Sequence, residues 1–189
     1  AVRIEESYEP NFEARAFFPD WDPAVVERHR DWLMPAHYDE ASAFLKLSVH
    51  SWLLKIGGKT ILIDTCVGNH KPRPHRPKWH LMETGYLERL KAAGVEPDEI
   101  DMVMCTHLHV DHVGWNTRLE NGRWVPTFRN AKYVFSRTDY EHYLKLDSDP
   151  ATGPVNAGSF RDSVLPVVEA GLTQMVDGAA QIDDNLFVE

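Results

Sequence analysis

Two apolar stretches separated by one amphipathic stretch constrain this chain most. Ile61-Leu62-Ile63 lies inside the strand-like segment Lys59–Thr65, and Asp101–Thr106 is a second apolar strand-like segment. Apolar residues on both faces suit buried strands of a parallel sheet. Between them, Met82, Tyr86, Leu90 and Ala93 recur at helical spacing, with Leu87 beside them. That pattern predicts a helix over His80–Ala93, stopped by Gly94. Strand, helix and strand in this order predict a βαβ unit with parallel strands, and hence an α/β fold.

Flanking segments extend the frame. Ser48–Ile56 reads as a strand, joined to Lys59–Thr65 by a tight turn at Gly57-Gly58. Val2 to Ile4 reads as a strand. Asp22–Leu33 reads as a helix, opened by Asp22 and Pro23 and stopped by Pro35. Further on come a hairpin over Arg118–Val125, turning at Asn121-Gly122, and a strand over Ala131–Ser136. Ser136 then caps a short helix carrying Tyr140, Tyr143 and Leu144 on one face. Ser159–Ala170 reads as a helix kinked by Pro166, and Phe187-Val188 as the start of a strand.

Composition removes several classes of function. With 43% hydrophobic and 26% charged residues over 189 positions, the chain has the balance of a globular domain. A net charge of −9 disfavours general nucleic-acid or anionic-membrane binding. No apolar run is long enough for a spanning helix. The chain begins at Ala1 without a basic, then apolar, leader, so a signal peptide is expected to be absent or already removed. Cys66 and Cys105 are too few for a disulfide framework and read as buried free thiols. The expected location is cytoplasmic.

Chemistry concentrates in Thr106-His107-Leu108-His109-Val110-Asp111-His112-Val113-Gly114. Three imidazoles and one carboxylate fall within six positions, directly after a buried strand, where open α/β sheets place ligand sites. A helix would point His107 and His109 about 200° apart. A tight turn can instead aim several of these side chains into one volume. Imidazole nitrogen and carboxylate oxygen suit zinc and related first-row metals.

The other candidates are weaker. His70 and His75, with His80 just beyond, lie with Lys71, Arg73, Arg76 and Lys78 in the proline-rich stretch 66–79, which reads as a solvated basic loop or a cleft rim. Trp115 and Trp124 suit either a substrate mouth or packing. His29, His37 and His50 have no partner at ligand spacing, and His142 falls on a helix surface.

The His-x-His-x-Asp-His run after a strand, together with Thr60-Ile61-Leu62-Ile63-Asp64-Thr65 upstream, resembles the metallo-β-lactamase-fold hydrolases. The likeness spans roughly residues 44–189. Residues 1–42 resemble the N-terminal extension of the branch that holds lactonases and methyl-parathion-hydrolase-like enzymes. The resemblance implies an αββα sandwich, here mainly its N-terminal half, in one incomplete domain over 1–189. It implies that His107 and His109 hold one metal, that Asp111 and His112 hold a second, and that Asp64 orients the histidine loop from behind. Asp111 would also help orient the attacking water or relay its proton. The implied cofactors are two zinc or other divalent ions per complete chain, with no organic cofactor.

The resemblance further implies hydrolysis of a small lactone, ester or phosphotriester. The alternatives are a nuclease of the same fold or a non-catalytic binding relative. The family completes its site with a third histidine in a Gly-His segment, a bridging aspartate and a last histidine. After His112 this chain has only His142 and no Gly-His. The 189 residues are therefore expected to be a C-terminally trimmed fragment, with apolar sheet surface that a second copy would cover.

Overall fold

The computed structural model describes residues 1–188. The chain divides into two compact units, one formed by Ser7–Val49 and the other by Ala1–Glu6 with the chain from His50 onward. Strand β1 (Val2–Glu13) leads from the second into the first.

The Ser7–Val49 unit continues through three short helices, α1 (Ala14–Phe17), α2 (Ala24–Arg28) and α3 (Arg30–Leu33). Strand β2 (Tyr38–Asp39) then pairs antiparallel with the start of β3 (Phe44–Ile56), Tyr38 opposite Leu45. Ala14, Val26, Leu33, Tyr38 and Leu45 form its small core, with Trp21 and Met34 packed against it. The single helix expected over Asp22–Leu33 is two, broken at His29, where φ is −125°. That stretch buries only Val26 and Leu33, too little packing to enforce a continuous helix. Asp22 still serves the start, accepting a hydrogen bond from the Ala24 amide at 2.9 Å.

The larger unit is a mixed α/β layer. Gly57 and Gly58, with φ of 58° and 76°, turn β3 into antiparallel β4 (Lys59–Ile63). The connection through α4 (Tyr86–Ala92) leads to β5 (Met102–Met104), which lies parallel to β4. The hairpin β6 (Thr117–Glu120) and β7 (Arg123–Pro126) turns at Asn121-Gly122, both at positive φ. Strand β8 (Lys132–Ser136) adds in parallel to β5, and Ser136 caps α5 (Arg137–Asp147) by accepting from the Asp139 amide. A π-helical turn (Phe160–Val164) leads into α6 (Leu165–Glu169), with Pro166 in the first turn of α6, where its missing N–H is harmless. Strand β9 (Thr173–Val176) closes the parallel set beside β8. The hairpin β10 (Ala180–Asp183) and β11 (Leu186–Val188) follows. The main sheet runs β1-β3-β4-β5-β8-β9. No described helix is long and apolar enough to cross a membrane.

Alternation along the strands sends Leu62, Val103, Tyr133 and Phe135 to one buried side. Ile61, Met102 and Val134 form a cluster on the other, with Ile182 and Leu186 of the terminal hairpin packed against it. Two further expectations need correction. The helix over His80–Ala93 is confined to Tyr86–Ala92, because residues 81–84 bond back to the preceding loop: Leu81 N–H to Lys71 C=O, His70 N–H to Met82 C=O, and Thr84 N–H to Asn69 Oδ1. Strands β9 and β10 lie in a segment whose short, mixed runs gave no pattern. The second correction concerns the basic loop.

That loop is not uniformly solvated. Lys71 and Arg73 are fully buried. Arg73 forks onto Asp162, Nη1 to Oδ2 at 2.6 Å and Nη2 to Oδ1 at 2.9 Å. Lys71 Nζ donates to Thr117 Oγ1 at 2.6 Å and to the Asp162 carbonyl at 3.0 Å, and lies 3.6 Å from the Trp124 ring centre. Two cations share one carboxylate. Burial pushes the Lys71 pKa down to about 7 against the opposing pull of Asp162, and the Arg73 charge pushes the same way.

A buried ion pair stripped of one partner leaves an uncompensated charge, at a cost of about 3–5 kcal/mol. Asp162→Asn is therefore expected to lower the free energy of unfolding by an amount in that range. A loss below about 1 kcal/mol in equilibrium unfolding would show that Asp162 is not the counter-charge.

Candidate metal centre

The candidate site is built where β4 and β5 end side by side. Asp64 closes β4 in the left-handed region, with φ of 57°, and its amide still bonds Met104 C=O at 2.9 Å. A non-glycine residue there is uncommon, and the turn aims its carboxylate across the ends of the strands. Oδ1 accepts from the Thr106 amide at 2.8 Å, and Thr106 Oγ1 lies 3.0 and 2.9 Å from the two carboxylate oxygens. Oδ2 meets His112 Nδ1 at 2.8 Å.

Beyond Thr106 the chain makes a tight turn, with the His112 amide bonded to His109 C=O at 3.0 Å. The ring centres of His107 and His109 lie 4.5 Å apart, and those of His107 and His112 4.0 Å. Asp111 Oδ2 is 3.6 Å from His112 Nε2. His109 is exposed, while His107, Asp111 and His112 are half-buried. Leu108, Val110 and Val113 point the other way, into the core.

The return of the chain is fixed by close backbone contact. Thr65 N–H bonds His112 C=O, Gly114 N–H bonds Cys66 C=O, and Trp115 N–H bonds Thr65 C=O, each at 2.7 Å. A Cβ on Gly114 would sit 1.8 Å from the Val67 carbonyl oxygen, so only glycine fits there.

The donor chemistry suits a divalent first-row ion: three converging imidazoles with a carboxylate beside them. Asp64 occupies His112 Nδ1, which leaves Nε2 as the nitrogen free for an ion. Among the described residues, no group of three or more His, Cys, Asp or Glu side chains is arranged to hold an ion together. The residues fit the group in kind and do not complete its coordination. Both cysteines are free and buried. Burial pushes both thiols well above their ordinary range, so neither offers a thiolate.

The remaining candidates separate clearly. Trp115 is buried, stacks on Tyr86 at 5.3 Å and donates its indole N–H to Glu6 at 2.7 Å, so most of its surface is taken up by packing. His80 Nδ1 accepts from the Arg73 amide at 3.0 Å. His142 is exposed on α5, its ring 5.3 Å from that of Tyr143. Glu6 escaped sequence reading. Its buried carboxylate accepts from the amides of Val67 and Gly68, and burial raises its pKa despite those bonds. It lies 61 residues from Val67, with no local signal to reveal it.

Desolvation is the largest influence on His112 and lowers its pKa. The hydrogen bond and charge of Asp64 and the charge of Asp111 together outweigh it, leaving the pKa above the ordinary 6.5. In chelator-treated protein, His112 thus stabilises the fold below about pH 6.5, and that contribution fades as pH rises through the folded value. Asp64→Asn is expected to lower the His112 pKa in an NMR titration of the ring. An unchanged midpoint would remove Asp64 as the cause.

Comparison with known proteins agrees with this architecture. The chain is 31% identical over 103 residues to N-acyl homoserine lactonase AiiB of Agrobacterium fabrum, covering 49% of this chain and 37% of that protein. It is 30% identical over 106 residues to a ribonuclease of Thermus thermophilus, covering 54% and 21%. The fold superposes on AidC, described as a dizinc quorum-quenching lactonase, with a TM-score of 0.68 at 16% identity, over 95% of this chain and 58% of that one. The matched segments thus span well under half of the length of these two curated relatives. The family model described as the metallo-beta-lactamase superfamily matches residues 45–181, well over half of the sequence, and the chain belongs to that superfamily.

Proposed function

We propose that the protein containing this chain is a metal-dependent hydrolase acting on a small lactone, ester or phosphotriester. The observation that carries the proposal is the convergence of His107, His109 and His112 beside Asp111 at the ends of two buried parallel strands. In this reading His107 and His109 hold one divalent ion, and Asp111 and His112 hold a second, of zinc type. Further ligands come from residues other than these four. Divalent ions held there would supply Lewis acidity toward water and toward a carbonyl or phosphoryl oxygen.

The side chains prepare that chemistry. Asp64 fixes the tautomer and ring plane of His112 by taking Nδ1, presenting Nε2 outward. Asp111, half-buried next to His112, orients the attacking water and accepts its proton. Leu108 and Val110 exclude water beneath the loop. The likeness to AiiB, a lactonase by name, supports a lactone among the candidate substrates. The net charge of −9 weighs against a polyanionic substrate.

Elemental analysis of the full-length protein, purified without chelator, is expected to give about two divalent ions per chain. Asp111→Ala is expected to remove most turnover across lactone, aryl-ester and phosphotriester substrates while the thermal melt stays close to the parent's. A protein that carries no metal and gains no activity from zinc, manganese or cobalt would overturn the proposal. Unchanged turnover in Asp111→Ala would overturn the role given to Asp111.

A further inference from the structure

The residues that alternate with the candidate ligands have their own machinery. Leu108 and Val110 separate His107, His109 and Asp111, and their side chains are 1% and 5% exposed. Their peptide groups are held by two residues far along the chain. Asp139 Oδ2 accepts from the Leu108 amide at 3.0 Å. Asn156 spans the next peptides: its Nδ2 donates to Leu108 C=O, and its Oδ1 accepts from the Val110 amide at 3.2 Å. One carboxamide thus grips both sides of His109.

Asn156 is held in a conformation that needs a reason. It has φ of 50° and ψ of 48°, and Ala157 follows at 56° and 25°. Two successive non-glycine residues in the left-handed region are unfavourable and persist only where surrounding contacts impose them. Those contacts are present. Arg73 Nη1 donates to Ala157 C=O at 3.2 Å while the same guanidinium forks onto Asp162. Ser159 Oγ donates to Asn156 C=O at 2.9 Å. Arg73 of the 66–79 loop therefore braces the turn that carries Asn156.

We propose that Asn156 is a positioning residue for the histidine loop. Its carboxamide fixes the peptides flanking His109 and so sets the directions of His107, His109 and Asp111, while the Arg73–Asp162 pair fixes the turn that presents it. The effect on metal binding rests on the function proposed above; the effect on the loop does not.

The test replaces Asn156 in the full-length protein with glycine and, separately, with aspartate. Glycine adopts the left-handed backbone freely, so Asn156→Gly removes the clamp without adding strain. Asn156→Asp keeps an acceptor for the Val110 amide and loses the donor to Leu108. Two readings are taken: amide hydrogen exchange resolved at Val110, and affinity for zinc alone by competition with a graded chelator. The expected result for Asn156→Gly is Val110 exchange about tenfold faster or more, with the amides of β5 and β8 unchanged. Zinc affinity is expected to fall about 10–100-fold, the range usual for residues that hold metal ligands in place, with Asn156→Asp between parent and glycine. Val110 protection equal to the parent's in both variants would overturn the clamp. Faster Val110 exchange with unaltered zinc affinity would overturn its positioning role. A parent protein that binds no zinc would count against the proposed function alone, and the exchange measurement would still decide the clamp.

Discussion

The carboxylate of Asp64 meets the Thr106 amide, the Thr106 hydroxyl and the His112 imidazole at one point, and the candidate site is arranged around that junction. Its backbone lies in the left-handed region, so the same residue ends β4 and turns its side chain across the ends of the strands. Thr106 begins the histidine loop and His112 closes it. One carboxylate thus ties both ends of a turn to the strand next to it. A loop of this length between a strand and a solvent-facing site would otherwise sample many conformations, at about 1–2 kcal/mol per residue to order.

The second constraint is electrostatic. Lys71 and Arg73 are buried with one carboxylate between them, an arrangement that leaves excess positive charge in a poorly solvated place. The geometry lessens the cost in three ways: a fork of two bonds to Asp162, neutral acceptors for Lys71, and the Trp124 face beneath the ammonium. Directional bonds of this kind connect three segments distant in sequence: the 66–79 loop, the β6–β7 hairpin and the π-helical turn before α6.

What the sequence revealed follows from the range of the forces involved. The β3–β4 turn needed two residues at positive φ, and Gly57-Gly58 announced it. The parallel pairing of β4 with β5 followed from apolar runs on both sides of a helix. The histidine cluster was legible because its members are neighbours in the chain and follow a strand. The helix boundary at Tyr86 was not, because hydrogen bonds from residues 81–84 to Asn69 and Lys71 overrode a fair helical pattern. The burial of Lys71 and Arg73 was hidden for a similar reason: their partner Asp162 lies some 90 residues later. Glu6, Asp139 and Asn156 are single polar residues whose importance exists only in three dimensions.

These long-range contacts divide the histidine loop into parts with separate anchors. Asp64 holds its two ends. The backbone of Thr65–Val67 holds its return, through three short bonds and a contact at Gly114 that leaves no room for a side chain. Asp139 and Asn156 hold its middle. Between these anchors every second side chain is buried, so the alternation that places Leu108 and Val110 in the core turns His107, His109 and Asp111 outward together. Imidazoles with ring centres 4.0 and 4.5 Å apart repel one another when protonated, which contributes, after desolvation, to the lowered pKa of His107. The scaffold therefore holds together groups that would separate if left to themselves, as a preorganised ligand cluster requires.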